Sequence, residues 1–219
     1  MQPPYGRIIK GLYGFGGGGR MSIHIRVPML PGAQKVPWNV NVNGVEQEHL
    51  IESNAILLDV LRDQVGTLGV KRGCDMGTCG CCAVLVNGEP RLSCLCLAKE
   101  HDGAAITTVE GLADGHHLNP IQKCFAEAGG SQCGFCTPGF LIVSSALLEV
   151  NPMPTRDEIK CAIEGNLCRC TGYQQIVDAV EMAAEMKQSG TISPDPTNPK
   201  SDPHPLGPDE PSLPPGSSK

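Results

Sequence analysis

Nine of the twelve cysteines in this 219-residue chain fall into two tight groups, and that crowding limits the fold more than any other feature. In the first group, "GCDMGTCGCC" holds Cys74, Cys79, Cys81 and Cys82 within nine residues, and Cys94 follows after eleven more. The second group is "QCGFCTPGF", with Cys133-x2-Cys136, and "GNLCRCTGY", with Cys168-x-Cys170, the pairs separated by thirty-one residues. Thiols at such density either cross-link or bind metal. The opening "MQPPYGRIIKGLYGFGGGGR" lacks the continuous apolar core of a secretory signal, and no later run approaches the roughly 18 apolar residues of a membrane span. A cytoplasmic chain without a membrane span is therefore expected, one in which clustered thiols hold metal rather than disulfides.

The rest of the chain reads as two small modules between two tails. Residues 1–20 look like an unstructured extension. Its "GFGGGG" formally satisfies G-x-G-x-x-G, but no apolar helix follows, so it is not read as a dinucleotide site. Order is expected from about Met21. "WNVNVNG" alternates like a strand and turns at Asn43-Gly44. "SNAILLDVLRDQVG" reads as a helix capped by Ser53 or Asn54 and stopped at Gly66. "CAVLVNGEPRLSCL" is a second hairpin turning at Asn87-Gly88, and "AAITTVEGL" a further strand. From about residue 116 the period becomes helical. Four helices are expected: from Asn119-Pro120 to Gly129-Gly130; from Thr137-Pro138 to Asn151-Pro152; from a Thr155/Glu158 capping box to Gly165; and "TGYQQIVDAVEMAAEMK", with Ile176, Val177, Val180 and Ala184 on one face. The final 26 residues, from Pro194, contain nine prolines and almost nothing apolar, so residues 189–219 read as an extended or disordered tail. With a net charge of -6 and no basic patch, nucleic acid is not an expected partner.

The spacings narrow the metal. Cys74-x4-Cys79-x2-Cys82 followed by Cys94 resembles the plant-type ferredoxin arrangement for a 2Fe-2S cluster. A short loop presents three thiolates, Gly73, Gly77 and Gly80 let its backbone come close, and the fourth thiolate comes from the far strand of the next hairpin. Counting alone also permits Cys81 as the third ligand. The recurring x4-x2 arrangement favours Cys82 and leaves Cys81 as a small buried residue. For the second group the competing reading is a four-thiolate zinc site. The C-x-C pair is an awkward bite for tetrahedral zinc, and each pair precedes a helix start whose free N–H groups and dipole suit an anionic cluster.

Taken together, "KRGCDMGTCGCCAVLVNG", "SQCGFCTPGF" and "GNLCRCTGY" resemble the small iron–sulfur subunit of the molybdenum hydroxylases, the xanthine oxidase, aldehyde oxidoreductase and aerobic carbon monoxide dehydrogenase family. The likeness spans about residues 36–187. It implies an α+β chain: an N-terminal ferredoxin-like β-grasp domain (21–115), then an all-α four-helix domain (116–188), each with one 2Fe-2S cluster. It implies Cys74, Cys79, Cys82 and Cys94 as ligands of the first cluster, and Cys133, Cys136, Cys168 and Cys170 as ligands of the second. Gln132 and Cys170 match positions that lie against the pterin. The implied partners are a large subunit carrying molybdopterin, as the cytosine dinucleotide, and a medium FAD subunit, in an αβγ heterotrimer or its dimer. The implied role is electron transfer between those subunits, with no substrate chemistry on this chain. Family members usually carry Ala where Cys81 stands. The rival classes are a free-standing ferredoxin or redox sensor, and a zinc-stabilised interaction module.

Outside the ligand set, Cys124 and Cys161 are expected as small core residues in helices. His116-His117 reads as solvated connector. Lys71 and Arg72 either offset the charge of the first cluster or are ordinary surface residues. Met182 and Met186 read as core or interface filler.

Overall fold

The first hairpin pairs β1 (Lys35–Val42) with β2 (Val45–Glu52) antiparallel, and Asn43 and Gly44 turn it at φ 54° and 84°, the positive values that a two-residue primed turn requires. This computed structural model describes residues 34–189 apart from His116, all within one compact unit. The expectations for residues 1–20, for the start of order near Met21, for His116 and for the 189–219 tail beyond Ser189 lie outside the described residues, and Ser189 itself is the last residue of a helix.

β3 (Ala83–Val86) and β4 (Glu89–Leu92) form the second hairpin, turned by Asn87 and Gly88, and β5 is Ala105–Thr107. The sheet order is β2-β1-β5-β3-β4, with β1 and β5 parallel and the other pairs antiparallel. Trp38, Val40, Val42, Ile51, Val84 and Ile106 turn inward and bury against Leu57, Leu58 and Leu61 of the helix crossing the sheet.

That helix differs from its expectation. α1 covers only Leu57–Val60 and continues as a π turn, Leu61–Val65, before Gly66 stops it at φ 87°. Neither Ser53 nor Asn54 caps it. The cap position is Ile56, without a side-chain bond, and the Leu57 N–H donates instead to the Cys96 carbonyl (2.8 Å) while Ala98 N–H donates to Ala55 (2.8 Å). A strand-like bridge between Ile56 and Leu97 holds the segment extended until residue 57, so tertiary pairing replaces the local cap.

Beyond the sheet come α2 (Pro120–Glu127), α3 (Thr137–Val150), α4 (Arg156–Ile163) and α5 (Gln174–Ser189). Capping boxes open two of them, Asn119 with Gln122 and Thr155 with Glu158. Their second core gathers Ile121, Phe125, Phe140, Ile159, Ile176 and Val180. Cys124 is buried in it, and Met182 and Met186 pack against its edge. Cys161 is exposed, contrary to expectation: the inward positions of α4 are Ile159 and Ile163, and a residue two places along points away from that face.

The connection between the cores is pinned rather than loose. Asn43 Oδ1 accepts from Thr108 N–H (2.8 Å), and Asn43 Nδ2 donates to Thr108 Oγ1 (2.9 Å). Thr108 Oγ1 donates to Glu110 (2.6 Å), which accepts from Gly69 N–H (2.7 Å). α3 also packs on β3 and β4, so the helical half leans directly against the sheet.

Candidate metal centres

The loop from Gly73 to Cys82 carries Cys74 at its rim and Cys79, Cys81 and Cys82 in its buried interior. It is tied to the sheet, since Ser93 N–H and hydroxyl both donate to the Cys82 carbonyl (3.2 and 2.7 Å). That bond seats Cys94, in the 3-10 turn Ser93–Leu95 after β4, beside Cys82 in side-chain hydrogen-bond contact. Gly73 closes the floor of the loop: a Cβ there would stand 2.7 Å from Cys79 Sγ and 3.5 Å from Cys81 Sγ. The space next to these sulfurs exists only because that side chain is absent.

Cys74 has its own donors. The Thr78 hydroxyl and the N–H groups of Met76 and Cys79 draw its pKa down to about 6, so it stands ready as a thiolate. Burial pushes Cys82 up to about 12, and a thiol there stays protonated until a metal cation compensates the lost solvation. Cys81 is likewise pushed to about 12 by burial, with Cys79 as the next contribution. Its Sγ lies 3.7 Å from the Cys79 carbonyl, and its side chain also feels Cys136 of the second group. Lys71 gives its N–H to the Cys81 carbonyl (3.2 Å), and Arg72 pairs with Asp59 and Asp75, so the Arg72 charge is already engaged.

In the second group, Cys136 occupies the N-cap of α3 and touches Cys168, while Cys170 is in side-chain contact with Cys133. Burial lifts Cys136 to about 12. At Cys168 burial also acts upward, but the Thr171 hydroxyl and N–H and the Cys170 N–H together bring it below the usual value. Thr171 Oγ1 is 3.1 Å and Thr171 N 3.5 Å from Cys168 Sγ. Tyr173 completes the support: its hydroxyl accepts from Cys168 N–H (2.9 Å) and donates to the Asn166 carbonyl (3.4 Å). Cys133, Cys170 and Gln132 are exposed, flanked by Phe135 and Leu167 at 47% and 53% exposure.

The thiols meet in twos: Cys82 with Cys94 and Cys79 with Cys81 in the first group, Cys136 with Cys168 and Cys133 with Cys170 in the second, while Cys74 meets Thr78 and loop N–H groups. The two pairs of the second group, and Cys82 with Cys94 in the first, suit a 2Fe-2S cluster, which takes two thiolates to each iron, whereas structural zinc draws four onto one centre. The residues present therefore fit the cluster. Spacing arguments missed Thr78, Asn166, Thr171 and Tyr173, which ligate nothing and orient the sulfurs or the loops. Only their position within three residues of a cysteine marks them in the sequence, where Thr171 reads simply as a helix opener.

Comparison with known proteins agrees with this chemistry. Residues 33–128 match a 2Fe-2S iron–sulfur cluster binding domain and residues 108–181 a [2Fe-2S] binding domain. The chain is 47% identical over 151 residues to the nicotinate dehydrogenase small FeS subunit of Eubacterium barkeri, covering 69% of this chain and 96% of that one. Quinoline 2-oxidoreductase from Pseudomonas putida 86 contains a chain that superposes with a TM-score of 0.69 at 43% identity, covering 72% of this chain and 98% of that one. Aldehyde oxidoreductase from Desulfovibrio gigas superposes at 0.68 with 42% identity over 71% of this chain, which spans only 18% of that larger one. The chain belongs to the small iron–sulfur subunits of the molybdenum hydroxylases, and it is an oxidoreductase subunit built on 2Fe-2S binding domains. No described helix is long and apolar enough to cross a membrane.

Proposed function

We propose that the chain is a β-grasp ferredoxin-like domain followed by an all-α domain of four helices, and that it relays electrons between a molybdopterin site on a large subunit and FAD on a medium subunit. Cys74, Cys79, Cys82 and Cys94 hold one 2Fe-2S cluster, and Cys133, Cys136, Cys168 and Cys170 hold the other. Each cluster supplies a one-electron centre when bound. The protein's own residues do the rest. Thr78 and the loop N–H groups stabilise the Cys74 thiolate, Thr171 and Tyr173 orient Cys168, and Ser93 fastens Cys94 against the loop. The observation that carries this reading is the two-by-two pairing of the four thiols at the second site, with Cys82 against Cys94 at the first.

Both sites reach the surface beside exposed apolar side chains, Met76 and Leu95 near the first, Phe135 and Leu167 near the second. Such surface supports docking to partner subunits. Gln132 and Cys170, both exposed, are the residues we assign to the molybdopterin side, with the cofactor as the cytosine dinucleotide. The assembly is an αβγ heterotrimer or its dimer, in the cytoplasm. The Desulfovibrio gigas match, in which the same fold is one part of a longer chain, supports a partner that carries the rest of the enzyme.

Iron and acid-labile sulfide analysis with low-temperature EPR of the reduced protein tests the reading. Four irons, four sulfides and two distinct spin-half signals per chain are expected. Zinc in place of iron, or two irons with a single signal, overturns it.

A further inference from the structure

The two cysteine loops are interlocked by backbone and amide bonds that use no thiol of either ligand set. Asn166 is 4% exposed, two residues before Cys168, and its Nδ2 donates to the carbonyl of Gly80 (3.1 Å), the residue after Cys79. One residue further on, Leu167 N–H donates to the Cys79 carbonyl itself (2.9 Å). The contact has no slack. Gly80 stands at φ 71°, and a Cβ there would meet Asn166 Nδ2 at 2.5 Å and the Gly165 carbonyl at 2.7 Å. From the other side, a Cβ on Gly139, in the first turn of α3, would lie 2.4 Å from the Gly80 carbonyl and 3.0 Å from Asn166 Nδ2. Three segments thus meet backbone to backbone: the first cysteine loop, the second cysteine loop, and the helix start that follows Cys136.

We propose that Asn166 is a positioning residue that sets the separation of the two redox centres, through its bond to Gly80, and thereby the coupling between them. The inference rests on the assignment of both cysteine groups as cluster ligands. The chemistry is one-electron exchange: what one centre loses the other gains, in either direction, with no bond made or broken and no proton moved. Asn166 belongs to neither ligand set. Its amide fixes the carbonyl that follows Cys79 against the backbone that precedes Cys168, so that a change at residue 166 is felt as a shift of one loop against the other. A buried amide suits the task, because its single partner is a backbone carbonyl and a bond of that kind is directional.

The test uses the holo chain with both centres reduced, and reads the magnetic interaction between the two spin-half signals as splitting and relaxation enhancement at low temperature. Asn166→Asp keeps the shape but points an oxygen at the Gly80 carbonyl. Gly139→Ala pushes on the same carbonyl from the opposite side and leaves Asn166 intact. In either variant that retains four irons, both signals should persist while the splitting diminishes or is lost, since dipolar coupling falls with the cube of distance. A merely structural Asn166 would lower the melting temperature and leave the splitting unchanged, and that result in the iron-retaining variants overturns the proposal. So does a wild-type protein whose two signals show no interaction at all. Fewer than two signals in the wild type would instead defeat the cluster assignment itself.

Discussion

Replacing Asn43 by Ala should loosen the junction between the sheet and the helical half, and the size of the effect can be worked from the contacts. The side chain satisfies Thr108 twice, at 2.8 and 2.9 Å, across 65 residues of sequence, and Thr108 is fully buried. With Ala, the Thr108 N–H is left without its partner where water does not reach, which costs about 1–3 kcal/mol. Asn43 also holds φ 54°, a left-handed conformation that costs a residue with a Cβ about 1–2 kcal/mol unless its side chain compensates locally, as Asn does. The sum is about 2–5 kcal/mol, a large share of the roughly 5–15 kcal/mol that separates folded from unfolded chains. Gly at the same position removes the backbone part and keeps the hydrogen-bond loss. Native-state hydrogen exchange of the Thr108 amide is the local assay. Its protection should fall about 5- to 150-fold in both variants, from the hydrogen-bond loss alone, and the denaturation midpoint of Ala should lie below that of Gly. Unchanged Thr108 protection in Asn43→Ala would refute the view that this side chain fastens the start of the connector to the sheet.

Three further outcomes are expected. Cys81→Ala should keep four irons and both EPR signals, whereas Cys82→Ala should lose one signal, because Cys82 and not Cys81 lies against Cys94. The Glu158 carboxyl, held below its ordinary pKa by the Thr155 N–H and hydroxyl, stabilises the folded state above the unfolded carboxylate value and ceases to as pH falls through the lower folded value. The stability difference between wild type and Glu158→Gln should therefore be larger at pH 7 than at pH 3, read by denaturant melts. Under native conditions an alkylating reagent should modify exposed Cys161 and spare Cys124, which is buried in α2 with its pKa pushed up to about 11, as mass mapping of the tagged peptides would report.

Where the sequence carried local chemistry, the structure could be read from it. Asn43-Gly44 and Asn87-Gly88 turn the hairpins, Asn119 and Thr155 cap their helices, and Ile176, Val177, Val180 and Ala184 are buried together, because turns, caps and helical faces are decided within a few residues. The start of α1 was not legible. Ser53 and Asn54 are good caps, yet a bridge from Ile56 to Leu97, forty-one residues away in sequence, takes over the segment. Cys161 is illegible for a related reason: an apolar residue in a short helix is not thereby on its inner face. At the metal centres, spacing identified which thiols belong together within each group. It said nothing of Thr171 and Tyr173, whose hydroxyls meet Cys168 only after the chain folds back, nor of Asn166 reaching Gly80 across 86 positions.

The clash distances around Gly80 and Gly139 also bear on how such a subunit can change over generations. A segment exchanged from a relative brings its own first loop, its own α3 start or its own second loop, and all three must fit a space with no room for one added carbon. Recombination at the junction near residue 110, where the chain looks divisible, would therefore unite halves that had never been selected against each other. Viable hybrids should be those whose donors already agree at positions 80, 139 and 166, although 86 positions separate the outermost two.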